Sequence, residues 1–166
     1  MRSRTPILAV AVAFIVLGAA PTCAGQSATK VHAKPVTIAS SNVVVVDRTG
    51  PAPWKGKFRI PAHVTVTNRT RIRALATALE RLRRFPKGVL PCPIDFSLRY
   101  VLRFEFVVTQ SQVMTVARVI ADPYGCEKVT GLDYPRWASA NFWRVLGEAV
   151  GVQHATVATF QERGSP

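Results

Sequence analysis

No apolar run in this sequence is long enough to cross a bilayer. The longest, Ile7 to Ala20, falls short of the roughly 20 residues that a spanning helix needs, so no transmembrane helix is expected in the mature chain. Recognisable catalytic motifs are missing as well. There is no GxSxG, HExxH, GxxxxGK or GxGxxG segment, hence no signature of a nucleophile elbow, a zinc helix or a phosphate loop. Histidine is scarce. His32, His63 and His154 stand apart, without the short spacing that holds a metal, and neither a metal nor a cofactor is expected. Acid is scarce too. Nine Asp and Glu face 22 Lys and Arg, for a formal net charge of +13.

What is present begins with a leader. Arg2 and Arg4 form a charged start, Ile7 to Ala20 an apolar middle, and Thr22-Cys23-Ala24 a small-residue end. Residues 1–24 therefore read as a secretory signal peptide cleaved near Ala24. Lipid attachment at Cys23 is the competing reading. Bacterial lipoprotein signals place Gly, Ala or Ser before the cysteine and a Leu-like residue two positions earlier. Thr22 and Ala20 depart from both preferences. The expected location is outside the cell or in the cell envelope. Loss of Arg2 and Arg4 lowers the net charge from +13 to +11. Such a chain attracts anionic envelope polymer, lipid headgroups or an acidic protein; specific nucleic-acid recognition is not expected. The bland alternative is solvated charge, since most of the cations are arginines spread along the chain.

Residues 25–40 are small, polar and patternless and read as a flexible leader. Ser41 to Asp47 is a β-branched strand, and residues 48–57 are a Pro- and Gly-bearing loop with Trp54 as a lid on the core. In 58–67, Phe58, Ile60, Val64 and Val66 alternate with Arg59, Thr65 and Thr67, and Pro61 requires an edge or a bulge. The segment NRTRIRALATALERLRRF carries Ile72, Leu75, Ala76, Leu79 and Leu82 at helical spacing. Asn68 or Thr70 can cap its start. Glu80 and Arg84 are spaced to pair, Arg81, Arg83 and Arg84 suit its last turn, and Pro86 and Gly88 end it. Leu98 to Val108 alternates Leu98, Tyr100, Leu102, Phe104 and Phe106 against Arg99, Arg103 and Glu105. That is a strand with one wet face. Val113 to Ala121 returns after a TQSQ turn with an ambiguous inner face. Asp122-Pro123-Tyr124-Gly125 is a turn, and Glu127 to Thr130 is a short last strand. After a YPRW turn, a second helix covers roughly Ala138 to Val150, with Trp137, Phe142 and Leu146 on its apolar side, Ser139 or Asn141 as cap and Gly151 as stop. Residues 41–153 form a single domain, and 154–166 are expected to be a loose tail. The expected architecture is α+β in two layers: an antiparallel sheet of four to five strands with two helices on one face, in a monomer.

The mature chain keeps Cys92 and Cys126. Both sit at loop-to-strand junctions that a hairpin brings to the same end, so a disulfide needs no contorted backbone. Closing that loop stabilises by about 3–4 kcal/mol on the chain-entropy model. A catalytic Cys92 thiolate would need a base, and neither His63 nor His154 has a recognisable spacing to it. Asp95, two residues after Pro93, reads first as a turn former bonding its own backbone.

The Cys92-Pro93-Ile94-Asp95 and Gly125-Cys126 segments flanking a hairpin, with RALATALERL before them, resemble small exported proteins of actinobacteria and related Gram-positive bacteria. The resemblance covers about residues 60–150. It implies no activity and carries over no functional residue. The leading functional reading is a non-enzymatic exported binding domain. Its candidate surface for an anionic partner is Arg69, Arg73 and Arg84 with Arg99 and Arg103. The second reading is a protease or enzyme inhibitor presenting loop 48–57 or 86–91. The third is a hydrolase using Asp95 with His63.

Overall fold

The computed structural model describes residues 37–50, 58–88, 91–93 and 95–161. The expected signal peptide, Trp54 with most of its loop, and residues 162–166 lie outside the described residues.

The alternating run after Leu98 becomes the central strand. β3 (Arg99–Thr109) pairs antiparallel with β1 (Val43–Thr49) on one side and β4 (Gln112–Ala121) on the other. β2 (His63–Val66) forms the edge beyond β1, and β5 (Lys128–Thr130) and β6 (Arg136–Trp137) extend the opposite edge. Among the described residues six strands make one antiparallel sheet in the order β2-β1-β3-β4-β5-β6, against the four to five expected. The extra strand is β6. Two residues of YPRW leave no alternation to read. Pro61 lies just before the edge strand, where its missing N–H costs no ladder bond.

One face of the sheet is dry. Val44, Val46, Val66, Tyr100, Leu102, Phe104, Val119, Ala121 and Val129 project from it into the core. α1 (Arg69–Glu80) and α2 (Ala140–Ala149) cover that face with Ile72, Leu75, Leu79, Phe142, Trp143 and Leu146. Each of these large side chains contributes about 1.5–3 kcal/mol when fully buried. β4 is resolved by a bulge. Phe104 opposes Ala117 but Glu105 opposes Thr115, leaving Val116 as the extra residue. Ala117, Val119 and Ala121 point inward, while Arg118 and Ile120 take the open face. Beyond the bulge the sides exchange, so Met114 joins Phe106.

Both helix starts follow the capping rule. Asn68 Oδ1 accepts from Thr70 N at 3.0 Å and Arg71 N at 3.1 Å, and Ser139 Oγ accepts from Phe142 N at 3.2 Å. The end of α1 differs from expectation. The helix stops at Glu80, so Arg83 and Arg84 are outside it. Arg136 supplies the reason. Its Nη1 donates to Glu80 O at 2.7 Å, with Leu79 O at 3.3 Å and Leu82 O at 3.4 Å. The carbonyls that a further turn would use are thus satisfied by a cation from β6. Residues 83–85 pair with β6 instead: Trp137 N donates to Arg83 O and Phe85 N to Pro135 O, both at 2.9 Å. Arg84 lies 3.9 Å over the Tyr134 ring rather than beside Glu80. Trp137 is likewise in β6, packed on Phe85 with ring centroids 5.2 Å apart, and not on the apolar side of α2.

The cysteines meet as expected. Cys92 and Cys126 form a disulfide with Cα atoms 5.0 Å apart across a sequence separation of 34. The two ends of the expected domain both move outward. Ile38–Ser40 is a 3-10 turn packed against α1 and so part of the fold, while residues 25–36 of the expected leader lie outside the described residues. The expected loose tail is docked as far as Gln161. α3 (Val157–Gln161) inserts Phe160, fully buried, edge-on to Tyr100 and against Trp143 at 5.1 and 5.0 Å. Tyr100 Oη donates to Phe160 O at 3.0 Å, Tyr124 Oη donates to Gln161 O, and Gln161 Nε2 donates to Pro123 O at 2.6 Å. Gly147 makes room for this return: a Cβ there would sit 2.1 Å from Ala155 Cβ. One aromatic and three long-range hydrogen bonds therefore anchor an otherwise polar stretch.

Phe160→Ala is expected to lower the unfolding free energy by about 3–5 kcal/mol in urea denaturation. A loose tail would give a change within about 0.5 kcal/mol.

Candidate functional site

The uncovered face of the sheet carries a polar network. Asp47 and His63 are directly opposed across β1 and β2, and His63 Nδ1 lies 2.7 Å from Asp47 Oδ1. Arg103 Nη1 donates to Asp47 Oδ2 at 2.7 Å, and its Nε lies 3.3 Å from Glu105 Oε1. Thr65 Oγ1 approaches His63 Nε2 at 3.4 Å. Hydroxyl, imidazole and carboxylate thus follow one another in the order of a nucleophile, its base and the base's orienter. The setting is unlike a reaction site. These side chains lie on neighbouring extended strands, the His63 ring is 61% exposed, and Asp47 is shared with Arg103. The network has a structural use. Arg103 and Arg118 are opposed in register, a repulsive placement that Asp47 and Glu105 relieve by neutralising Arg103.

Asp95 and His63 are not brought together as a pair. Asp95 Oδ1 accepts from Ser97 N at 2.8 Å, where Ser97 holds φ 59°. Its Cβ would lie 3.7 Å from a Cβ on Gly125, beside the disulfide. It is a turn former at the stapled end of the hairpin. Next to it Asp122 has a raised pKa. Burial of its carboxylate is the main cause; Arg99 opposes it, Asp95 adds to it and Lys128 opposes it. Arg99 Nε is 3.2 Å from Asp122 Oδ1, yet that oxygen has no aligned hydrogen-bond donor, so the contact is an ion pair without a good hydrogen bond.

His154 holds φ 54° and lies between two shallow depressions. Arg71, Glu148, Gly151 and Gln153 line one of about 380 Å³; Asn141, Arg144 and Thr156 line part of the other, of about 430 Å³. Among the described residues no group of three His, Cys, Asp or Glu side chains could hold a metal ion.

The five arginines of the expected anionic-partner surface divide between two layers. Arg99 and Arg103 are on the open sheet face and are paired to carboxylates. Arg69 and Arg73 are exposed on α1, and Arg84 is exposed just beyond it. The helix layer holds more cations than the sequence reading assigned to the site. Arg71, Arg81, Arg83 and Lys87 are exposed as well. None of these seven has an ion pair among the described residues, and Glu80 is the one acid in residues 69–87. The acids are committed elsewhere. Asp47, Glu105 and Asp122 meet cations of the sheet, Asp133 meets Arg136, Glu148 meets Arg144, and Glu127 accepts from Trp143 Nε1 at 3.0 Å. The signal for the missed residues was the density of cations in 69–87, read as helix-end charge.

Comparison with protein-family models, with curated proteins and with solved structures finds no match.

Because Asp122 has a raised pKa in the fold, its protonated form favours the folded state. That contribution is present at acid pH and lost as pH rises through the raised value. Asp122→Asn is therefore expected to be at least as stable as the parent at pH 7. The parent should gain on the variant as pH falls toward the ordinary carboxylate range, read from paired thermal melts. A parent more stable by over about 1 kcal/mol at pH 7, with the gap closing in acid, would mean that the Arg99 pair dominates.

Proposed function

We propose that this chain is a non-catalytic exported domain that binds an anionic polymer or surface through α1 and residues 81–87. The observation that carries the reading is the concentration of charge: seven exposed cations around α1 without carboxylate partners, against an open sheet face where Arg99 and Arg103 are paired and, among the described residues, only Arg118 and Lys128 are not. α1 rises 1.5 Å per residue, so its neighbouring arginines lie within the roughly 8 Å screening length of physiological salt and act together on a polyanion. A solvated surface with interspersed signs would have no such concentration. The disulfide supports an oxidising compartment, in keeping with the expected signal peptide.

A second reading has one observation in its favour. Pro91, Cys92 and Pro93 are exposed and stapled to the 122–126 turn, as an inhibitor's presenting segment would be. Residues 51–57 and 89–90 of its candidate loops lie outside the described residues. A screen against secreted hydrolases that yields no tight complex removes it.

On a heparin column, Arg69→Gln/Arg73→Gln/Arg81→Gln should elute at clearly lower salt than the parent, because three contacts to a polyanion are gone and helix propensity is kept. Arg99→Gln/Arg103→Gln, which removes paired cations on the other layer, should elute with the parent. Equal shifts for the two variants would contradict a site on α1.

A further inference from the structure

The β3–β4 hairpin outruns the rest of the sheet. β1 ends at the Val43↔Glu105 rung, and Asn42 clasps the next residues, donating from Nδ2 to Val107 O and accepting from Val107 N, both at 2.8 Å. Beyond this point the two strands pair with each other alone. The run FVVTQSQVMTVA, residues 106–117, contains no charged side chain. It also supplies three of the four large apolar residues that are exposed among the described ones: Val108 at 64%, Val113 at 51% and Met114 at 47%. In water this is an unfavourable place for them.

The arrangement identifies the medium it fits. Phe106 and Met114 are opposed on one side of the ribbon, and Val107 and Val113 on the other. Behind a polar, uncharged turn at 109–112 the ribbon is apolar on both sides, an arrangement that suits an interface between water and an apolar phase. Charge placement agrees. The Val44↔Val66 and Val43↔Glu105 rungs put the end of β2, the Asn68 cap and the first turn of α1 at the same end of the sheet as the hairpin. That turn carries Arg69 and Arg71, and Arg73 follows at the start of the next.

We infer that the β3–β4 hairpin tip inserts into the surface of an anionic lipid bilayer while the first turn of α1 holds the headgroups. The inference rests on the polyanion reading and names the surface. Lying obliquely in the headgroup zone of about 5–8 Å, the ribbon sets Val108, Val113 and Met114 at the headgroup–acyl boundary while the polar turn 109–112 stays among the headgroups. Insertion stays shallow. A two-stranded ribbon leaves outer N–H and C=O groups unpaired, and these cannot enter the hydrocarbon core.

The test uses vesicles of equal parts phosphatidylglycerol and phosphatidylcholine, with pure phosphatidylcholine as control. The mature chain should bind the anionic vesicles. Val108→Asp/Met114→Asp, a change of exposed side chains verified by an unchanged thermal melt, should bind them at least about tenfold more weakly and elute from heparin like the parent. A separate Val108→Trp variant should show blue-shifted emission on the vesicles and quenching by brominated lipid. Unchanged vesicle binding by the Asp variant overturns the inference. So does an Asp variant that turns a dimeric parent into a monomer without loss of vesicle binding, which would make the tip a contact between copies. Heparin retention without vesicle binding overturns the insertion and leaves the polyanion reading standing; absence of both removes both.

Discussion

Burial on one face of a single sheet is the constraint from which the rest follows. Tyr100, Leu102 and Phe104 on β3 are fully buried beneath the helices, while Arg99, Arg103 and Glu105 from the same strand stand on the other side. A strand has no means of hiding both sets unless both faces are covered. Hence α1, α2 and the returning Phe160 gather on one side. The sheet alone would expose a continuous apolar face, and the helices alone would be short amphipathic segments. The disulfide adds a local constraint at one end of this sandwich, tying the entry to β3 to the turn after β4.

Distribution of charge follows from the same asymmetry. The open face mixes Val45, Val101 and Ile120 with charged residues, and its cations sit close together across neighbouring strands, where like charges opposed in register repel. Asp47, Glu105 and Asp122 meet that need. With nine acidic residues in the whole chain, few are left for the helices. The cations of α1 and its extension are unpaired as a consequence of where the acids went. A basic helix layer and a partly neutralised sheet face are two sides of one allocation.

Much of this was legible in the sequence, for local reasons. The alternation after Leu98, the Asn68 and Ser139 caps and the cysteines at hairpin ends are signals carried by a few adjacent residues. What escaped depends on distant partners. The inner face of β4 turns on a bulge at Val116, visible only against β3. The end of α1 is fixed by Arg136, more than fifty residues later. A lone Phe160 in a polar stretch gives no periodicity, and its burial requires Tyr100 and Trp143 to be in place. The five candidate arginines divided because one-dimensional spacing cannot say that α1 and β3 point their exposed sides in opposite directions. Asp47 was missed as the partner of His63 for the same reason: the pair is made by strand register, not by proximity in the chain.

The central claim is that the accessible positive potential lies on the helix layer and not on the sheet. Titration of the isotopically labelled protein with a short heparin oligosaccharide, followed by amide NMR, tests it most directly. The account predicts salt-sensitive shifts concentrated in residues 69–88, with Arg99, Arg103 and Arg118 little changed. Shifts centred on those three sheet arginines, or spread evenly over both layers, would contradict it.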